Sequence, residues 1–207
     1  TPAVVQAYLP GEELSSFSIA HQGAVVGSVI YRGLIVSGSV AVCFEVIPEP
    51  EPAMLEWIAH FVRATAYSGF IAFDFRRTDD GQALPIECNP RATSGIHFLT
   101  PEALYGSIMD GAVLDESGPY RGERLKESYS CFTRLLASAT SPRQFREVAH
   151  VMRTSRDVTW HRDDPWPFLL MMINTYRIVA LSLFGRRSFA EAAVLDIEWR
   201  EAPESVS

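Results

Sequence analysis

Over the first fifty positions the pattern is strand-like, with apolar-rich stretches separated by turn residues. Residues 4–9, 15–21, 25–32 and 35–47 read as strands, with Pro10-Gly11, Gln22-Gly23 and Gly33 as the breaks between them. An antiparallel meander is the expected outcome. The pattern then changes. Met54, Trp57, Ile58, Phe61 and Val62 recur at three- and four-residue spacing behind prolines suited to a helix start, with Gly69 beyond the end. One amphipathic helix is therefore expected over one face of the sheet. Residues 70–77 and 82–89 follow as two more strands, and Thr100-Pro101-Glu102 caps a short helix ending near Gly111.

Between Gly111 and Arg124 the chain is polar and turn-rich, so a boundary is expected there, dividing residues 1–112 from a mostly helical extension, 113–207, that packs on them. In the extension, Ser141-Pro142-Arg143-Gln144 has the capping-box form and opens a helix to about Arg153, and Ser188 to Glu191 repeats the signal. The most apolar run, 168–184, carries Asn174, Thr175 and Arg177 and falls short of the roughly 20 residues of a bilayer span, so it is expected as a buried helix. Hairpins in the first half and helices in the second predict an α+β fold. Its core would be an antiparallel sheet with helices packed on one face.

Composition narrows the partners. A formal charge of −7, with Lys126 the one lysine among 18 basic residues, lacks the cationic excess that neutralises nucleic acid phosphates. Neither nucleic acid nor membrane is expected as a partner, and the oligomeric state stays open, a homodimer included. Cys43, Cys88 and Cys131 are odd in number and form no CxxC pair, which fits reduced thiols packed in the core of a cytoplasmic protein. The amino end has no basic flank leading into an apolar stretch and does not begin with methionine, and it reads as a chain joined in mid-fold.

The hairpin at residues 70–89 carries the candidate chemistry. With Asp80-Gly81 as the two central residues of a type I′ turn, Asp74 falls opposite Glu87, with Cα atoms about 4.5 Å apart, and Arg76 falls opposite Pro85. Alternation then puts Phe73, Phe75, Ile86 and Cys88 on the core face and Asp74, Glu87 and Asn89 together on the other. Opposed like charges on a sheet cost about 0.2 to 1 kcal/mol, so the pair needs either a compensating cation or free access to solvent. Magnesium takes one or two carboxylates and leaves its other positions to water and phosphates. From the hairpin alone, a cation site and a solvated acidic face are both open.

The run GFIAFDFRRTDDGQALPIECNPRATSGIHF resembles the metal-binding end of ATP-grasp enzymes: an Asp, a short hairpin, then Glu-x-Asn followed by an Arg and a glycine-containing loop. Here these are Asp74, Glu87, Asn89, Arg91 and Gly95, and the Asn-Pro-Arg form is closest to the carbamoyl-phosphate-synthetase-like branch. VVQAYLPGEEL resembles the hinge strand of the same family. The resemblance implies that Gln6 and the backbone of Ala7, Tyr8 and Leu9 meet adenine, and that Glu13, or else Glu12, takes the ribose. It further implies ATP and Mg2+ as cofactors, with the ion held by Asp74, Glu87 and Asn89. The implied reaction is the ligation of a small-molecule carboxylate, activated as an acyl phosphate and oriented by Arg91, to an amine or similar nucleophile. The lysine-bearing subdomain that cradles the triphosphate in this family has no counterpart here. The resemblance thus implies the carboxyl-terminal part of a longer enzyme, inactive alone, whose partner is the missing amino-terminal subdomain. A non-catalytic binding or assembly module and an ATP-grasp phosphotransferase are the alternatives.

His97, beside Phe98 and Leu99, reads as packed more readily than as functional. RDVTWHRDDPWPF reads as a polar loop anchored by aromatics. Ser37-Gly38-Ser39 reads as a bulge or a close-approach point.

Overall fold

The computed structural model describes residues 7–37, 40–47, 52–114, 123–185 and Ala192. Among them, seven strands form one sheet in the order β5-β4-β1-β2-β3-β6-β7. The strands are β1 (Glu12–His21), β2 (Ala24–Ser37), β3 (Val40–Val46), β4 (Gly69–Arg77), β5 (Ala83–Asn89), β6 (Arg124–Lys126) and β7 (Arg156–Asp157). All pairings are antiparallel except β6 with β7. The fold is α+β, as the element order predicts. Strands β6 and β7 lie beyond the polar stretch read as a boundary, yet they complete the same sheet. Two compact units divide instead between Val158 and Thr159.

Helix α1 (Pro52–Ala64) lies on one face, and its Met54, Ile58 and Val62 are buried against Leu14, Ile30, Ile71, Phe73 and Phe75. Each such side chain contributes about 1.5 to 3 kcal/mol on burial, so the spacing read from the sequence is sufficient to seat the helix. The chain reverses after α1 at Ala66, whose φ is +48°, rather than at Gly69. The opposite face is not bare. A 3-10 turn, Ser94–Phe98, and α2 (Pro101–Met109) bring Phe98 and Leu104 against Phe17, Val29 and Tyr31. Thr100 caps α2 as expected, its hydroxyl accepting from the Ala103 amide at 3.2 Å.

Sequence periodicity misses α3 (Ser128–Ala137), whose Cys131 is buried with Cys43 and Ile35. The helix from Ser141 is α4 (Pro142–Thr154); Ser141 accepts from the Gln144 amide, while its own amide donates to Ser138, so only half of the capping box forms. Cys43 and Cys131 are core residues, whereas Cys88, on edge strand β5, is exposed.

In the second unit, α5 (Trp166–Gly185) replaces the expected buried helix with one that has no buried residue; Leu170, Tyr176, Leu183 and Phe184 are all exposed. Its 20 residues contain an 18-residue window with a mean hydropathy of 1.6, so it is long and apolar enough to cross a membrane. The region of Ser188 to Glu191 and the Gly38-Ser39 pair lie outside the described residues.

Candidate functional site

Strand pairing lines up four polar side chains across four strands. Tyr31 on β2 faces Ser15 on β1, Ser15 faces Asp74 on β4, and Asp74 faces Glu87 on β5. All four lie on the face opposite α1. Residues flanking this row point to α1 instead, as Ile30, Leu14, Phe73 and Phe75 do.

Asp74 opposes Glu87 as the sequence predicts, but by another route. Two consecutive positive φ angles, the mark of a type I′ turn, occur at Gln22 and Gly23 between β1 and β2, where His21 pairs with Ala24. At the β4–β5 tip only Gly81 has positive φ, at +85°. Arg77 pairs with Ala83, leaving a loop one residue longer, held by Thr78 N–H to the Gln82 carbonyl at 2.9 Å and Gly81 N–H to the Thr78 carbonyl at 2.9 Å. That slips the register by one, so Pro85 faces Phe75 rather than Arg76. A bulge at Ile86 slips it back, and Asp74 meets Glu87.

Burial pushes the Asp74 carboxyl above its ordinary range, and Glu87 and Glu13 push the same way, while a hydrogen bond from Ser15 and the charge of Arg91 oppose them. Ser15 Oγ donates to Asp74 Oδ1 at 2.7 Å, and Asn89 Nδ2 lies 3.4 Å from Oδ2. Next to this clamp, Ser16 holds the strand itself: its hydroxyl accepts from the Phe73 amide at 3.0 Å and donates to the Phe73 carbonyl at 3.2 Å. Neither serine stands out by residue type. The available signal is the run of Ser15, Ser16 and Ser18 inside an otherwise apolar strand.

Beyond Asn89 the chain folds back over the sheet. Arg91 is exposed and donates to Asn89 Oδ1 at 3.4 Å and to the Ala92 carbonyl at 3.2 Å. Gly95 is buried so closely on the sheet that a Cβ there would sit 2.3 Å from Phe17 Cβ and 2.8 Å from the Tyr31 ring, which is why the loop needs glycine. Thr93 Oγ1 lies 3.3 Å from the Tyr31 hydroxyl, and Tyr31 is 4% exposed. His97 projects to solvent and is not packed; its neighbour Phe98 fills the core position.

The expected nucleotide residues are only partly placed. Gln6 lies outside the described residues; Ala7, Tyr8 and Leu9 form no strand, and Tyr8 is 87% exposed. Glu13 shares the face of Asp74 and pairs with Arg76 at 3.1 Å. Glu12 belongs to the other face. There it joins a line of charges running from Arg77 through Glu12, Arg32 and Glu45 to Arg124, across β4, β1, β2, β3 and β6. Burial alone would raise the Glu45 carboxyl, but hydrogen bonds from Arg32 and Arg124 outweigh it and hold it low. Lys126 is occupied by the Met152 carbonyl.

Two carboxylates and an amide within one patch suit a hard divalent cation that keeps positions for phosphate oxygens, and the crowding of Asp74 by Glu87 and Glu13 is what such a cation relieves. Among the described residues no three His, Cys, Asp or Glu side chains gather as a metal-holding group, so the amide of Asn89 has to complete the set. Its oxygen, now turned toward Arg91, would have to turn inward to do so.

No family model matches the chain, and no curated protein matches it. Solved structures do match. N5-carboxyaminoimidazole ribonucleotide synthetase in its ADP complex is 16% identical, with a TM-score of 0.43, over 64% of this chain and 39% of that one. L-amino acid ligase from Bacillus licheniformis is 15% identical, with a TM-score of 0.36, over 56% and 34%. A putative ATP-grasp superfamily protein from Archaeoglobus fulgidus is 14% identical, with a TM-score of 0.38, over 56% and 38%. The chain thus spans less than two fifths of the length of each of these structures. In the motif of its hairpin, Asp74 with Glu87, Asn89 and Arg91, the chain resembles the ATP-grasp superfamily.

Proposed function

We propose that this chain is the cation-binding half of an ATP-dependent ligase of the ATP-grasp type, which activates a carboxylate as an acyl phosphate for attack by an amine or similar nucleophile. The observation that carries the reading is Asp74 directly opposite Glu87, with Asn89 beside them, on a face over which the Arg91 loop closes. In this role Asp74, Glu87 and Asn89 hold Mg2+, which supplies charge neutralisation to the transferring phosphoryl group. Arg91, exposed at the rim, offers a planar bidentate donor for the substrate carboxylate. Glu13, on the same face as Asp74, takes the ribose by exchanging Arg76 for the sugar hydroxyls, and Gln6 with the Ala7 to Leu9 backbone takes the adenine. The lysine-bearing side of the cleft comes from a preceding subdomain of a cytoplasmic, longer enzyme.

The test uses the full-length protein. Asp74→Ala and Glu87→Ala should each lower ATP-dependent turnover by more than about a hundredfold while leaving the circular dichroism spectrum unchanged. Hydroxylamine should trap a hydroxamate from the acyl phosphate. A stable phosphorylated product would instead point to a phosphotransferase. Turnover that survives both substitutions would overturn the cation role, and a full-length protein without ATP-dependent chemistry would make the fold a binding module.

A further inference from the structure

The row that contains the two carboxylates also contains two hydroxyls with no part in the reading above. Ser15 donates at 2.7 Å to Asp74, the shortest link in the site, and leaves Oδ2 as the less committed oxygen. On its other side Ser15 faces Tyr31 across β1–β2, and the Tyr31 hydroxyl lies 3.3 Å from Thr93 Oγ1. Tyr31 is fixed from several sides, by Phe44 edge-on at a centroid distance of 5.7 Å and by Phe98 at 5.6 Å. The hydroxyl of a side chain so held has little freedom to leave its partners. Thr93 in turn sits in the loop that carries Arg91, whose own guanidinium reaches Asn89.

The geometry points to Ser15 and Tyr31 as positioning residues that form a relay of facing side chains, Tyr31 holding Thr93 and Ser15 holding Asp74, which couples the Arg91 loop to the cation-binding carboxylate. This rests on the cation role of Asp74 proposed above. Ser15 fixes which Asp74 oxygen faces the Glu87 side, as partners of first-contact ligands do in metal sites generally. Tyr31 conveys the loop's position to that carboxylate through atoms that are themselves buried and packed. Cation and loop therefore order each other, because each stabilises the same arrangement of one row of facing side chains. A solvated acidic hairpin would need no such support.

The experiment is a titration of the full-length protein with Mn2+ in the presence of ADP, followed by water-proton relaxation, with hydrogen–deuterium exchange of residues 91–99 recorded with and without the metal. Ser15→Ala should weaken Mn2+ binding by about tenfold, and Ser15→Thr should restore it, since the hydroxyl rather than the side-chain volume is at issue. Tyr31→Phe keeps the ring and its packing. It should abolish the slowing of loop exchange that Mn2+ produces in the wild type. Thermal unfolding of each variant identifies any loss of fold, and the Tyr31→Phe measurement stands independently of Ser15→Ala. Wild-type binding with an unchanged Ser15→Ala affinity, or loop protection that persists in Tyr31→Phe, would overturn the relay alone. Absence of wild-type binding, or equal binding by Asp74→Asn, would overturn the cation role itself.

Discussion

At the scale of single residues, Asp74 determines how the site responds to pH. A carboxyl raised by burial and by like charges favours its protonated form in the folded state. The stability this gives is present below the ordinary carboxylate range of about 4 and is lost as pH rises through the raised value. At neutral pH the ionised Asp74 therefore weighs against the fold. In metal-free buffer, Asp74→Asn should melt at a higher temperature than the wild type at pH 7, and the difference should shrink toward zero as the pH falls below about 4, as followed by circular dichroism. A lower melting temperature for Asp74→Asn at pH 7 would mean that the Ser15 hydrogen bond outweighs desolvation. Asp74, Glu87 and Asn89 were legible in the sequence because alternation along two strands fixes their common face. Ser15 and Tyr31 were not, since their role depends on strand neighbours distant in the chain. Periodicity describes which face a residue takes and is silent on which strand lies alongside.

At the scale of elements, the loop from Arg91 to Phe98 is held by close contact with the sheet more than by its own hydrogen bonds. Gly95→Ala would place a methyl against Phe17 and Tyr31 and should cost about 1 to 3 kcal/mol, seen as a lower denaturant midpoint with an unchanged slope. The same variant displaces Thr93 from Tyr31. The amphipathic α1 and the capped α2 and α4 follow from local rules of spacing and capping, so sequence reading finds them. The short strands β6 and β7 have two or three residues each and carry no period to detect; they exist because β3 offers a free edge. The hinge segment fails as a strand over Ala7 to Leu9 although its residues are apolar. Among the described residues no neighbouring strand pairs with it.

At the scale of the whole molecule, the chain divides into a sheet-based unit and a second unit whose described part is dominated by α5. An apolar run of this length was legible in the sequence, but its surroundings were not, because hydropathy measures the side chains and not what covers them. Continuous apolar exposure of this kind binds hydrophobic dyes. Replacing Leu169, Leu170 and Ile173 together with glutamine should lower the 1-anilinonaphthalene-8-sulfonate fluorescence of the chain by roughly half. Unchanged fluorescence would place the dye-binding surface in the other unit.

The bulge at Ile86 gives the hairpin a parity. The extra residue in the returning strand, and not the one at the tip, decides which side chain meets Asp74. A residue lost from 79–81 only shortens the loop inside the Thr78–Gln82 closure, whereas closing the bulge so that Ile86 pairs with Asp74 would turn Glu87 to the side of Trp57. The facing of the two acids is therefore indifferent to the length of the tip and sensitive to the bulge alone.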